Sequence, residues 1–184
     1  DGQHKTGSYQ LGRFQQALDY IETLPLFIND DDRQTSAKVV YSCEALHLQS
    51  GPLWLTVSDY LGLFADTGGK GEDSEPLRVS AIGRRHKSIA NRTGACVILI
   101  SALTLNPSMM ATKFGGQGSL RWSRDLDYHT DLHVEIYNCP QMKARGIDFV
   151  LPNDYGITSD KFAWVCVVKN REGAIGTLPM IWKP

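Results

Sequence analysis

No apolar segment of this chain approaches the roughly 20 residues that a membrane-spanning helix needs, and no signal-peptide pattern opens it. The chain is therefore read as cytoplasmic and without a membrane partner. Cysteine is scarce. Cys43, Cys96, Cys139 and Cys166 form no C-x-x-C pair, and reduced thiols in a cytoplasmic protein are the simplest account. Cys96 and Cys166 lie in apolar runs, where a free Cys packs as a small hydrophobe. An excess of one charge is also missing: 19 Lys and Arg face 20 Asp and Glu, with a pI near 6.6. That balance excludes a generally basic nucleic-acid binder and leaves any such contact to local loops. No G-x-x-x-x-G-K-[ST] phosphate loop occurs. Gly68-Gly69-Lys70-Gly71 lacks the Ser or Thr, and His4-Lys5-Thr6 lacks the glycine before it. No Ser/His/Asp, Cys/His or paired-carboxylate constellation can be assembled from spacing, which argues against an unrelated small-molecule enzyme.

What is present organises around Leu53 to Leu63, LWLTVSDYLGL. This short apolar, β-branched run follows the turn pair Gly51-Pro52 and reads as a strand of a parallel sheet, buried on both faces. Its one acid, Asp59, belongs at the carboxyl edge, where open α/β sheets bind ligands. Taken alone, Asp59 reads equally as an acid capping the next loop or as one holding Mg²⁺ through water. Before it, Leu11, Phe14, Leu18, Ile21 and Leu24 recur at helical steps up to Pro25, behind a loose Asp1 to Ser8. Leu26 to Ile28 is expected as a short strand. Thr35 or Ser36 caps a helix carrying Ala37, Val40, Tyr41 and Leu48, which completes a βαβ unit. Beyond it, Ala65 to Pro76 reads as a mobile loop. Val79, Ile82, His86 and Ile89 mark a helix whose outer face carries Arg84, Arg85, Lys87 and Arg92, stopped by Gly94. Cys96 to Ile100 is another apolar strand, and Asn106 to Ser119 a second flexible segment. Leu132 to Tyr137 is a strand candidate, and Phe162 to Val168 with Thr177 to Trp182 an antiparallel hairpin. Trp54, Trp122, Trp164 and Trp182 are expected in core or edge packing. His129 and His133 flank Asp131 but lack further ligands for a metal. The fold class is α/β: one domain over 1–184, a mostly parallel sheet flanked by helices with a C-terminal hairpin added to it.

In that order the segments resemble the C-terminal ATPase domain of replicative DNA helicases of the DnaB family, which has a RecA-like core. Pro25-Leu26-Phe27-Ile28 is similar to the family's strand before an acidic turn. LWLTVSDYLGL is similar to its Walker B strand, and Val79 to Ile98 to its next helix and strand. Leu120-Arg121-Trp122-Ser123 with Asp131, and Val167 to Gly173 with Gly176-Thr177, are similar to its later segments. The resemblance implies that Asp59 holds Mg²⁺ and that Ser101 stands beside the nucleotide. It further implies that Lys169 and Arg171 reach towards the ATP of the next subunit in a hexameric ring. Without it, Lys169 and Arg171 read as a solvated hairpin tip. Lys70, Lys113, Gly115 and Gly116 are the groups available to follow a single-stranded DNA backbone, and are otherwise plain loop residues.

Two departures stand against full activity. The family's phosphate loop and water-polarising glutamate are expected upstream of Asp1, so the chain resembles a partial core from Walker B onward, with weak ATP and Mg²⁺ binding by itself. Ala102 stands where the family has a glutamine that links the γ-phosphate to the DNA loop. A non-catalytic RecA-like module for oligomerisation or single-stranded DNA binding is the alternative reading.

Overall fold

The computed structural model describes residues 3–66, 75–102, 124–138 and 162–181. Expectations for Lys70, Lys113, Gly115, Gly116, Trp122, Trp182 and the two long loops lie outside these residues. The chain divides into two compact units, Asp1–Asp32 and Arg33–Pro184.

The first unit is helix α1 (Gln3–Glu22) and an irregular tail. The helix starts well before the expected end of the loose N-terminus. Its exposed apolar stripe, Leu11, Phe14, Leu18 and Ile21, has the predicted spacing. It ends where the Thr23 amide donates to the Tyr20 carbonyl at 3.1 Å and the Thr23 hydroxyl to the same oxygen at 2.7 Å. Leu26 to Ile28, expected as a strand, is not one. Its residues are exposed, and the Leu26 amide closes a tight turn onto the Leu24 carbonyl at 2.7 Å rather than a ladder.

In the second unit Thr35 caps α2 (Ser36–Ser50), its hydroxyl accepting from the Lys38 amide at 3.2 Å. Ser36 and Cys43 form the buried side of α2, whereas Tyr41 and Leu48, expected inside, are exposed. Strand β1 (Leu55–Ser58) pairs parallel with β2 (Cys96–Leu99), and α3 (Glu75–Thr93) makes the crossover between them. This βαβ unit replaces the one expected to begin at residue 26. Val79, Ile82, Gly83, His86, Ile89 and Thr93 form the buried stripe of α3 at three- and four-residue steps. Gly94 ends the helix with φ of 73°, a left-handed position that glycine takes without a Cβ penalty. Ile82 and Val79 of α3, Leu61 and Leu126 make the buried core, with Phe64 and Leu99 against it.

β1 is not buried on both faces: Thr56 and Ser58 turn inwards while Leu55 and Val57 are about half exposed. Cys96 and Trp54, expected in packing, are also exposed. Cys43 and Cys166 are buried, and burial pushes both thiols up.

The second sheet is antiparallel, in the order β3 (Leu132–Asn138), β4 (Phe162–Asn170), β5 (Gly176–Ile181). Among the described residues it shares no ladder with β1 and β2, and the parallel sheet has two strands. β3 runs inside-out: His133, Glu135 and Tyr137 are buried while Leu132, Val134 and Ile136 are exposed. The short helix α4 (Arg124–His129) precedes β3 and lays Leu126 on the α3 core.

Candidate functional site

The ladder between β1 and β2 ends by pairing Ser58 with Leu99, and one further residue carries it on. The Ile100 amide donates to the Ser58 carbonyl at 3.0 Å, and the Leu61 amide donates to the Ile100 carbonyl at 2.8 Å. Asp59 and Tyr60 are thus pinched outwards between two bonds to a single residue of the neighbouring chain segment. The Asp59–Tyr60 peptide is cis. Asp59 is exposed at the carboxyl edge of the parallel pair, as the sequence predicts, and Ser101 follows Ile100 on the same edge. The Ser101 hydroxyl donates to the Ala102 carbonyl at 3.5 Å, a weak bond that leaves it available.

Behind that edge lies a pair that spacing alone does not reveal. Ser58, the last residue of β1, is 2.9 Å by its hydroxyl from Nε2 of His86 in α3. Nδ1 of His86 is 2.9 Å from the Ile82 carbonyl, which fixes the neutral tautomer: Nδ1–H donates, and Nε2 accepts from Ser58. The ring meets Phe64 edge-on with centroids 5.2 Å apart. His86 is 3% exposed, and burial pushes its pKa down despite Asp66 nearby. One buried ring therefore touches the chain on both sides of Asp59, at Ser58 and at Phe64.

Asp66, just past the Leu61–Leu63 turn, accepts from the Ser36 amide and hydroxyl, each at 2.7 Å, and from Arg85 at 2.7 Å. Arg85 is thus a paired residue joining α3 to the start of α2, while Arg84 is exposed as expected.

The hairpin cations are held by the end of α4. Lys169 donates to the Asp127 carbonyl, and Arg171 donates by Nη2 to the Tyr128 carbonyl at 2.8 Å. These are last-turn carbonyls with no partner inside the helix, and they carry its negative end. Asp131 completes the set. Its Oδ1 is 3.2 Å from Arg171 Nη1, its Oδ2 accepts from Lys87 of α3, and its carbonyl accepts from the Arg171 amide at 3.0 Å. The Lys87 hydrogen bond is the main reason that the Asp131 carboxyl lies below the usual carboxylate range.

The inward face of β3 forms a polar cluster. Asp127 Oδ1 is 2.8 Å from His133 Nδ1, and Glu135 Oε1 is 3.4 Å from Nε2. The two ring nitrogens and Asp127 Oδ1 make no aligned hydrogen bond at these distances. The Tyr137 hydroxyl donates to Glu135 Oε2, and burial pushes the Glu135 carboxyl up. His129 instead faces the Ser80 hydroxyl at 3.4 Å, so His129, Asp131 and His133 are not gathered. Among the described residues no group of three His, Cys, Asp or Glu side chains could hold a metal ion.

The carboxyl edge thus carries a carboxylate after β1 and a hydroxyl after β2. That donor set suits a Mg²⁺ ion that keeps most of its water.

The chain is similar to the "Replicative DNA helicase DnaC" of Bacillus subtilis (strain 168), 23% identical over 169 residues, covering 92% of this chain and 34% of that protein. Its fold matches a solved structure titled "The Structure Of A DnaB-Like Replicative Helicase And Its Interactions With Primase", with TM-score 0.71 and 21% identity, covering 93% of this chain and 39% of the other. A second solved structure, described as an ATPase domain, matches with TM-score 0.70 and 22% identity, covering 92% of this chain and 55% of the other. The chain therefore spans between about a third and about half of the length of these relatives. The description "DnaB-like helicase C terminal domain" matches residues 2–184, and the chain belongs to that family.

Proposed function

We propose that the chain is part of an ATP-dependent replicative DNA helicase motor, a partial core over 1–184 that works in a cytoplasmic, hexameric ring translocating on single-stranded DNA. The observation that carries this reading is the placement of Asp59 and Ser101 at the carboxyl edge of a parallel strand pair, in a chain of this family. Asp59 holds Mg²⁺ through its water shell, and Ser101 stands beside the nucleotide. The ion, when bound, neutralises charge developing on the phosphates. Lys169 and Arg171 offer their cations to the nucleotide of a neighbouring subunit, and such an arginine is worth on the order of 10³–10⁵ in rate. Lys70, Lys113, Gly115 and Gly116 follow the single-stranded backbone.

The test is Arg171→Ala in a full-length form that hydrolyses ATP. Turnover is expected to vanish while nucleotide affinity stays nearly unchanged; a wild-type rate refutes the assignment.

A second reading has specific support. Ala102, where the resemblance places a glutamine, favours a RecA-like module that assembles or binds single-stranded DNA without turnover.

A further inference from the structure

We propose that Asp131 is a positioning residue: it seats Arg171 by main chain and side chain, so that the remaining guanidinium N–H groups face outwards to a phosphate on a neighbouring subunit. The inference rests on reading Arg171 as the cation given in trans, and adds the group that aims it.

Three contacts define the seat. The Arg171 amide donates to the Asp131 carbonyl at 3.0 Å, one step beyond the Leu132–Asn170 pair of the β3–β4 ladder, and this fixes where the side chain leaves the backbone. Asp131 Oδ1 then takes Nη1 at 3.2 Å, while the Tyr128 carbonyl takes Nη2 at 2.8 Å. A guanidinium is a rigid planar fork with five N–H donors, so two such bonds fix its plane and leave donors to spare. The Arg171 side chain is 49% exposed, so the seated group is still accessible.

The other carboxylate oxygen decides what the seat is attached to. Lys87 of α3 donates to Oδ2, so Asp131 ties the hairpin to the helix that crosses from β1 to β2. Lys169 is held alongside by the Asp127 carbonyl. A cation already oriented gives up little freedom when a phosphate arrives, which is how positioning enters a rate rather than an affinity.

Two measurements test this. In the ¹⁵N-labelled chain, with the Arg171 side-chain signals assigned by their loss in Arg171→Ala, rotation about the Nε–Cζ bond is expected to quicken about tenfold in Asp131→Ala. Lys87→Met, which spares the seat, is expected to leave it slow. Equal rotation in wild type and Asp131→Ala overturns the proposal, as does loss of the seat in Lys87→Met alone. In the ATP-hydrolysing full-length form, Asp131→Ala is expected to lower kcat about tenfold with KM for ATP within about twofold, and Asp131→Glu to restore part of it. If Arg171→Ala stops turnover while Asp131→Ala does not, only the positioning role fails. If Arg171→Ala turns over normally, the trans-cation reading fails and takes this one with it.

Discussion

Ser58→Ala, His86→Leu and the double variant form a cycle whose outcome follows from burial. Ser58 and His86 are 8% and 3% exposed, so neither atom of their 2.9 Å bond can turn to water when the other is removed. Leaving one buried polar partner unpaired costs about 1–3 kcal/mol, whereas replacing both by apolar groups is close to neutral. Each single change should destabilise by about that amount, although His86→Leu also forfeits the Phe64 contact and the bond to the Ile82 carbonyl. The double variant should be no worse than His86→Leu alone, a coupling of at least about 1–3 kcal/mol. Urea unfolding followed by circular dichroism at pH 7.5 measures it.

The same cycle has a pH signature. His86 has a lowered pKa in the fold, because burial disfavours the charged ring. Below the unfolded value of about 6.5, the unfolded chain takes a proton that the folded one refuses. Stability is therefore lost as pH falls from about 6.5 towards the folded pKa, at no more than about 1.4 kcal/mol per pH unit. Subtracting the His86→Leu curve isolates this part, since the raised carboxyl of Glu135 contributes to both. Additivity of the singles within about 0.5 kcal/mol, or identical acid slopes with and without the imidazole, would refute the buried-pair argument.

Two further outcomes are expected. A Cβ added at Gly83 would lie 2.5 Å from Leu126 Cδ1, so Gly83→Ala sets an overpacking cost of about 1–3 kcal/mol against a helix-propensity gain of about 1 kcal/mol. The change should become stabilising in a Leu126→Ala background, and an unchanged sign there would count against the α3–α4 contact. Titration of this chain with Mg·ATP should show no saturable binding below millimolar concentration, because the sequence lacks a phosphate loop; micromolar affinity would overturn the half-core reading.

Periodicity made the helices, the parallel pair and the hairpin legible, because each buries a stripe or alternates at its own spacing. The stripe Val79, Ile82, His86, Ile89 is buried as read, and Asp59 stands at the edge as read. Where the reading failed, a contact from elsewhere in the chain decided the matter. Leu26 to Ile28 has strand-like residues but no ladder partner among the described residues, and a strand is defined by its partner. On β3 the alternation is visible, but it would place Val134 and Ile136 inside. Tyr137 and the contacts to Asp127 let His133 and Glu135 occupy that side instead. Asp131 was legible as an acid between two histidines, not as the partner of Lys87 and Arg171, which lie 44 and 40 residues away. The Ser58–His86 bond spans 28 residues and leaves no local signal beyond a histidine in an apolar stripe.

Ile100 fastens the chain on both sides of the Asp59–Tyr60 step, and the next residue is Ser101. Two main-chain bonds to one residue thus tether the backbone that carries Asp59 to the segment that leads into Ser101, and a change at Ile100 reaches both.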